Sequence, residues 1–432
     1  MRAFQHDGEL DFTDLFCGLG GSARGLMEAG LRLRLAMNHD RVQVEAHRAN
    51  HPHAEHLTED INAFDKRSLP HTRILWGSPI CTEIAPAGGR KRTYGQTCLI
   101  GPDGQRATPD EHGGQPQFER TRATALDIIA ATEVHRYDAV LCENVTEFAT
   151  DWELFDWWLS GMNILGYNHQ IVCASSAHLG DDDNPTAPQL RDRIYVVFTR
   201  KGIPLPDLEV RPAALCPTCG PVNARQVWRN PRRRKIGKWG VQYDYRCPQR
   251  RCGHLILDPT TRPIADVIDW SLPGTRVGEG RPDRKKFTPY AASTRARIEA
   301  GLTKYGTAPH VTMLRRNTTA VALTNPVPAI SAQGRHHALI VPNGRKGAVR
   351  TTAEPVTTVA CKPHHSLVRP APTVDDCTLR MLNPRELAQA QRFPADYILP
   401  AASQEQQILG IGNAVSVNAA HWLGTRIKAA LA

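Results

Sequence analysis

The sequence predicts an α/β protein, a parallel sheet wrapped by helices, with a second, basic and β-rich domain inserted before the chain returns to the first. Residues 11–200 alternate short apolar runs with stretches of helical periodicity, the pattern of successive strand–helix units. The first apolar run ends in Phe16-Cys-Gly-Leu-Gly-Gly21, a glycine-rich turn opening a helix. Beyond residue 200 the alternation stops, and prolines and basic residues accumulate.

The expected strands are Leu10–Phe16, Leu33–Asn38, Ile74–Trp76, Ala139–Cys142, Asn168–Ala174 and Ile194–Thr199. The expected helices between them include Ser22–Ala29, Val42–Asn50 and Arg122–Tyr137. Residues 90–121 break the pattern with Gly, Pro, Gln and Arg and read as a long functional loop. The domains expected are residues 1–200, an inserted domain over 201–377, and a segment 378–432 returning to the first. The inserted domain ends in a weak repeat: Asn325-Pro-Val-Pro-Ala-Ile330 with His336-His337-Ala-Leu-Ile-Val341 resembles Glu354–Val359 with His364–Val368, and a partial copy starts at Ala371. Residues 383–432 regain helical patterning around one turn, Gly410-Ile-Gly-Asn-Ala-Val415.

Charge separates the two regions. The chain has 432 residues and a formal net charge of +10. Residues 201–380 carry 30 Lys and Arg against 12 Asp and Glu, so the excess lies in one block and the remainder is acidic. Such a block suits a polyanion; a solvated surface is the bland alternative. No apolar run approaches a membrane span and no signal peptide is visible, so a cytoplasmic protein with reduced thiols is expected.

Several residues carry candidate chemistry. Cys81 sits on a Gly-Ser-Pro turn after the run Ile74-Leu-Trp76, where a thiolate nucleophile needs a positive neighbour or a helix amino terminus. Glu143, in Glu143-Asn144-Val145, ends another apolar run and can hold or donate a proton; an ordinary cap or salt bridge is the alternative. In Pro188-Gln-Leu-Arg-Asp-Arg-Ile-Tyr-Val-Val197, Gln189, Arg191 and Arg193 share one strand face at period two. Asp60-Ile61 is placed to meet an adenine ring and its exocyclic amine.

In the basic block, Cys216-Pro-Thr-Cys219 and Cys247-x4-Cys252-Gly-His254 have the character of a structural zinc site. The second pair is wider than usual, so either Cys252 or His254 completes it. Between the pairs, Arg232, Arg233, Arg234 and Lys235 are interleaved with Trp228, Trp239, Tyr243 and Tyr245, which suits phosphate contact with stacking or groove insertion. Base readout is assigned by position to Arg315, Arg316, Gln333 and Arg335.

Six blocks taken together resemble the DNA cytosine-5 methyltransferases: Phe16–Gly21, Gly77–Cys81, Glu143–Val145, Gln189-x-Arg191-x-Arg193, Pro384-Arg-Glu386 with Gln391-Arg-Phe-Pro394, and Gly412-Asn-Ala-Val415. They stand in the family's order, with its variable target-recognition region in the right gap. The resemblance implies a Rossmann-like sheet that binds S-adenosylmethionine and acts on double-stranded DNA; a monomer is the default for an enzyme that must encircle one duplex. A flipped cytosine is attacked at carbon 6 by Cys81, with Glu143 at ring nitrogen 3 and Arg193, supported by Arg191, on the base. It implies cofactor contacts from Phe16, Gly18, Leu19, Gly20, Gly21, Asn38, Asp40, Asp60, Ile61, Pro79, Asn413, Ala414 and Val415. The loop over 82–121 would close on the base, with Arg90, Lys91 and Arg92 near phosphate.

The chain departs from the family at three points. Ile80-Cys81-Thr82 replaces the usual Pro-Cys-Gln, Asn38-His39-Asp40 replaces the glutamate after the second strand, and the insertion after Cys81 is long. These features resemble a divergent, phage- or prophage-like branch of the family. The rival readings are the same reaction on transfer RNA and a catalytically silent DNA-binding protein.

Overall fold

The computed structural model describes residues 9–80, 119–314, 320–330, 332, 336–342 and 373–432. These fall into two compact units. The first comprises residues 1–262, 328–333 and 387–432, and the second residues 263–327 and 334–386.

The first unit is built on a seven-stranded sheet. Its strands are β1 (Asp11–Leu15), β2 (Arg32–Asn38), β3 (Glu55–Thr58), β4 (Ile74–Gly77), β5 (Ala139–Asn144), β6 (Tyr167–Ser175) and β7 (Asp192–Arg200). They lie in the order β3-β2-β1-β4-β5-β7-β6. The first five pair in parallel, while β7 runs antiparallel to both β5 and β6. The sheet is therefore mixed rather than wholly parallel. Every residue of β4 and β5 is buried, as expected of central strands covered on both faces. β3 went unpredicted because Glu-His-Leu-Thr has no apolar alternation and its side chains are half-buried or exposed.

Helices α1 (Gly21–Glu28), α2 (Arg41–Asn50), α3 (Glu119–His135) and α4 (Phe155–Ile164) connect the strands. Two clusters of buried side chains form the core, one containing Phe12, Leu33, Trp76, Leu141 and Trp422, the other Leu15, Leu75, Val140, Trp158 and Phe198. Carboxyl-terminal helices α6 (Gln404–Asn413) and α7 (Val417–Leu431) belong to this unit. α7 buries Val417, Ala420, Leu423 and Ile427 and packs on α1. The approach is close because α1 presents glycines: a Cβ on Gly21 would overlap the carbonyl oxygen of Val415, and one on Gly25 that of Val417.

Residues 213–257 also cluster with the first unit, as short antiparallel pairs: β8 (Ala213–Cys216) with β9 (Gly220–Asn223), and β10 (Arg225–Trp228) with β11 (Tyr243–Arg246) and β12 (Ile256–Leu257). Leu208, Ala214, Cys216, Tyr243, Tyr245 and Cys247 share one buried cluster with Val172, Ala174 and Tyr195 of the sheet. The basic block thus divides at about residue 262, because its cysteine-bearing part buries its apolar face on β6 and β7.

The second unit is a five-stranded antiparallel sheet: β13 (Thr275–Arg276), β14 (His310–Met313), β15 (Val321–Ala322), β16 (His337–Pro342) and β17 (Cys377–Met381), ordered β13-β17-β16-β14-β15. Helix α5 (Ala292–Tyr305) lies against it, with Ile298 buried. Arg380 and Glu386 form a buried ion pair at 2.7 Å. Within the first copy of the sequence repeat, His337–Pro342 is a strand; the second copy lies outside the described residues.

Replacing Gly21 with alanine should destabilise the fold by about 2–4 kcal/mol, since the clash is with backbone and cannot be relieved by a rotamer change. Chemical denaturation of Gly21→Ala beside a surface alanine control measures it.

Candidate active site and four-cysteine centre

The carboxyl ends of β1 to β4 open onto one cleft, the usual ligand position in such sheets. It is lined by Phe16 after β1, Met37, Asn38 and His39 at the end of β2, Glu59, Asp60, Ile61 and Asn62 after β3, Ile80 after β4, and Thr124 of α3. Phe16 holds φ at +64°, an uncommon conformation for a bulky residue. A lining that combines apolar Phe16 and Ile61 with polar Asn38 and Asp60 suits a flat heterocycle with a polar appendage.

Beside it lies a charged edge. Glu143, at the end of β5, is buried and pairs with Arg193 of β7, Nε to Oε1 at 3.0 Å. Asn144 donates to the carbonyl of Pro79 at 3.0 Å, tying the end of β5 to the turn after β4. The Ile80 amide donates to Thr124 Oγ1 at 3.1 Å. Cys81, Arg90, Lys91 and Arg92 follow and lie outside the described residues. Arg191 is directed elsewhere: its buried guanidinium donates to the carbonyls of Gly412 at 3.1 Å and Ala414 at 2.8 Å. It holds the carboxyl-terminal turn against the sheet.

Of the residues assigned to the cofactor, Phe16, Asn38, Asp60 and Ile61 line the cleft. The others have different contacts. Asp40 caps α2, its carboxylate accepting the Val42 amide at 2.9 Å, and it does not line the cleft. Gly18 and Gly20 both have positive φ. A Cβ on Gly20 would lie 2.7 Å from the His47 ring and 2.8 Å from the Tyr397 hydroxyl, which itself donates to the Leu19 carbonyl. Gly21 faces Val415. The turn 17–21 and the segment Asn413-Ala414-Val415 therefore pack on each other, and Pro79 is buried as the acceptor for Asn144. Glycine serves here for close packing.

Beneath the turn, Asp14 is completely buried and accepts from Ser22 Oγ at 2.6 Å. Burial pushes its carboxyl up to about 7, and burial together with Asp14 pushes the neighbouring Cys17 thiol up as well.

The sulfurs of Cys216, Cys219, Cys247 and Cys252 all lie within 4.8 Å of one another. Four thiolates around a tetrahedral ion with bonds of about 2.3 Å stand about 3.8 Å apart, so this set can hold a metal. His254 turns away, its Nδ1 2.9 Å from the Cys247 carbonyl, and Cys252 completes the group. The Leu255 amide beside Cys252 draws its thiol below the ordinary cysteine range. The interleaved aromatics are not exposed for stacking. Tyr243 and Tyr245 are fully buried and Trp228 and Trp239 pack against the same cluster, because the ribbon uses them to seat itself on the sheet. Arg232, Arg233, Arg234 and Lys235 are exposed; Arg234 pairs with Asp156 at 2.5 Å. Arg315, Arg316, Gln333 and Arg335 lie outside the described residues.

A family profile for C-5 cytosine-specific DNA methylases matches residues 10–99 and 278–429, more than half of the chain. The chain belongs to this family. Among curated relatives, the type II methyltransferase M.AgeI of Thalassovita gelatinovora is 28% identical over 197 residues, 44% of this chain and 39% of that protein. M.HgiGI of Herpetosiphon aurantiacus is 29% identical over 89 residues, 20% of this chain and 71% of that protein. The chain thus spans about two fifths of the first relative's length. The fold is also that of a mutant of Spodoptera frugiperda DNMT2, with TM-score 0.52, 15% identity and coverage of 98% of this chain and 99% of that one. The Entamoeba histolytica methyltransferase EhMeth gives TM-score 0.53 at 12% identity, covering 99% and 100%.

The matched segments exclude 100–277, so Glu143, Arg193 and the ribbon rest on their geometry in this chain. Sequence reasoning missed Met37, His39, Glu59, Asn62, Ile80 and Thr124 as cleft residues. Most adjoin a recognised motif and could have been found by extending each motif one or two residues; Thr124 had no signal, as it arrives from α3. No helix among the described residues is long and apolar enough to cross a membrane.

Cys252→Ser should lose bound metal while His254→Ala keeps it, measured as metal per chain after dialysis. Asp14 has its own pH signature. The folded-state pKa is raised above the unfolded one, so the folded state holds the extra proton and stability falls as pH rises from about 4 to about 7. Asp14→Asn should remove that part of the slope in unfolding experiments across this range.

Proposed function

We propose that this protein is a DNA cytosine-5 methyltransferase that uses S-adenosylmethionine and carries a structural zinc ion in its four-cysteine ribbon. The observation that carries the reading is the Arg193–Glu143 pair at the sheet edge, tied through Asn144 to the turn that leads into Cys81. Family membership and relatives named as type II methyltransferases support a DNA substrate. The exposed cluster Arg232, Arg233 and Lys235 supports contact with phosphates.

In this reading Phe16 and Ile61 would hold the adenosyl part of the cofactor, with Asp60 as the acceptor for its exocyclic amine and Asn38 as a polar partner for its sugar. S-adenosylmethionine supplies the methyl group. The target cytosine leaves the duplex, at an unstacking cost of a few kcal/mol, and enters beside Glu143. The Cys81 thiolate attacks carbon 6, while Glu143 holds a proton at ring nitrogen 3, so charge moves to carbon 5. Arg193 orients Glu143 and neutralises it until the base arrives. After transfer a base takes the carbon 5 proton and the Cys81 sulfur departs, restoring the ring. Arg191 acts through the turn at Gly412–Ala414. Four thiolates leave no open coordination position, so the ribbon metal is structural. The reading includes cytoplasmic location and action as a monomer, each chain engaging one target base.

The test uses labelled S-adenosylmethionine and mixed-sequence duplex DNA. The native protein should form 5-methylcytosine, Cys81→Ser none, and Glu143→Gln at least about 100-fold less. Transfer to transfer RNA alone, or DNA binding without transfer at saturating cofactor, would overturn the reading.

A further inference from the structure

The ribbon does more than present basic residues. Leaving β10, the loop over 229–242 runs along the reaction edge and is pinned at successive points. Gln226 of β10 donates to the Cys173 carbonyl on β6 at 2.8 Å. Arg234 pairs with Asp156 and lies 4.9 Å over the Phe155 ring. Lys238 Nζ reaches Glu147 Oε1 at 2.8 Å, four residues beyond Glu143. The Trp239 amide donates to Asp192 Oδ1 at 3.3 Å, and Asp192 immediately precedes Arg193. On the apolar side, the rings of Trp239 and Tyr245 stand edge-on to buried His178 at 4.7 and 5.2 Å. Cys216 and Cys247 lie in the same buried cluster as Tyr195 and Val172 of the sheet.

Three carboxylates, Glu143, Glu147 and Asp192, therefore meet two cations, Arg193 and Lys238. Asp192 is close enough to feel the charges of Lys238, Arg193 and Glu147. Without Lys238, Glu147 would lose its paired cation, and Asp192 would be left with Arg193 as the nearby positive charge. Without the Trp239 amide, the first residue of β7 would lose a tether at the point where Arg193 must be aimed. A misplacement near 1 Å at such a site costs on the order of 100-fold in rate.

We propose that the four-cysteine ribbon is a positioning element of the reaction centre: through Lys238 and Trp239 it fixes Glu147 and Asp192, and so holds the Arg193–Glu143 pair in register. The inference rests on the methyltransferase reading above and assigns Lys238, Trp239 and Asp192 a role distinct from DNA contact.

Four variants test it in the full chain: Lys238→Ala, Asp192→Ala, Asp192→Asn and Cys252→Ser. For each, kcat, KM for duplex DNA, KM for S-adenosylmethionine, circular dichroism and metal content are measured. Lys238→Ala and Asp192→Ala should keep their metal and fold but lose about tenfold or more in kcat, with both KM values within about twofold. Asp192→Asn keeps an acceptor oxygen for the Trp239 amide and should recover most of the rate. Cys252→Ser should lose metal and lose kcat by more than it loses DNA affinity. Lys238 is partly exposed, so its variant remains informative if an Asp192 variant misfolds. Unchanged kcat in Lys238→Ala, or a defect confined to KM for DNA, overturns the proposal and leaves the ribbon as a DNA-binding element. A native protein without methyl transfer overturns the functional reading itself, and this inference with it.

Discussion

The cleft and the charged edge both depend on how closely the carboxyl-terminal segment approaches the first turn of the sheet. At Gly21 and Gly25 there is no room for a single additional carbon, because the carbonyls of Val415 and Val417 occupy the space. This contact joins residues nearly four hundred positions apart. Arg191 supports it from the other side, spending a buried guanidinium on the carbonyls of Gly412 and Ala414. A buried cation whose partners are backbone oxygens at the end of a helix is oriented by geometry as well as by charge. The turn that shapes the cleft is thus held by chain that returns only after the inserted domain.

The polar groups at the sheet edge show the same economy. Each element end supplies one partner: Asn144 to Pro79, Arg193 to Glu143, Trp239 to Asp192, Lys238 to Glu147. A strand terminus has no further ladder bonds to fix it, so its side chains are aimed by whatever packs beyond the edge. Here that is the ribbon, which shares its hydrophobic cluster with β6 and β7. A domain boundary near residue 200 would have separated the ribbon from the groups it touches.

Much of the site was legible because its motifs are local. Phe16, Asn38, Asp60 and Ile61 each sit at or just beyond a strand end, and period-two or glycine patterning locates such positions without tertiary information. The four-cysteine group was also legible, because two cysteine pairs on turns mark a possible ligand group by spacing. Spacing could not decide between Cys252 and His254, since both are within reach of the first pair; the 3₁₀ turn at Arg250–Cys252 turns the cysteine in and the histidine out.

By itself the sequence determined the α/β class, the order of the motifs and the chemical identity of the candidate groups, because these follow from periodicity and residue type. Only the tertiary structure decided what those groups face. Asp40 caps a helix, Tyr243 and Tyr245 fill a core, Gly21 admits a distant carbonyl, and Arg191 clamps backbone. Each residue type is compatible with either a ligand-facing or a packing role, and the choice is made by which surfaces the long-range contacts bring together.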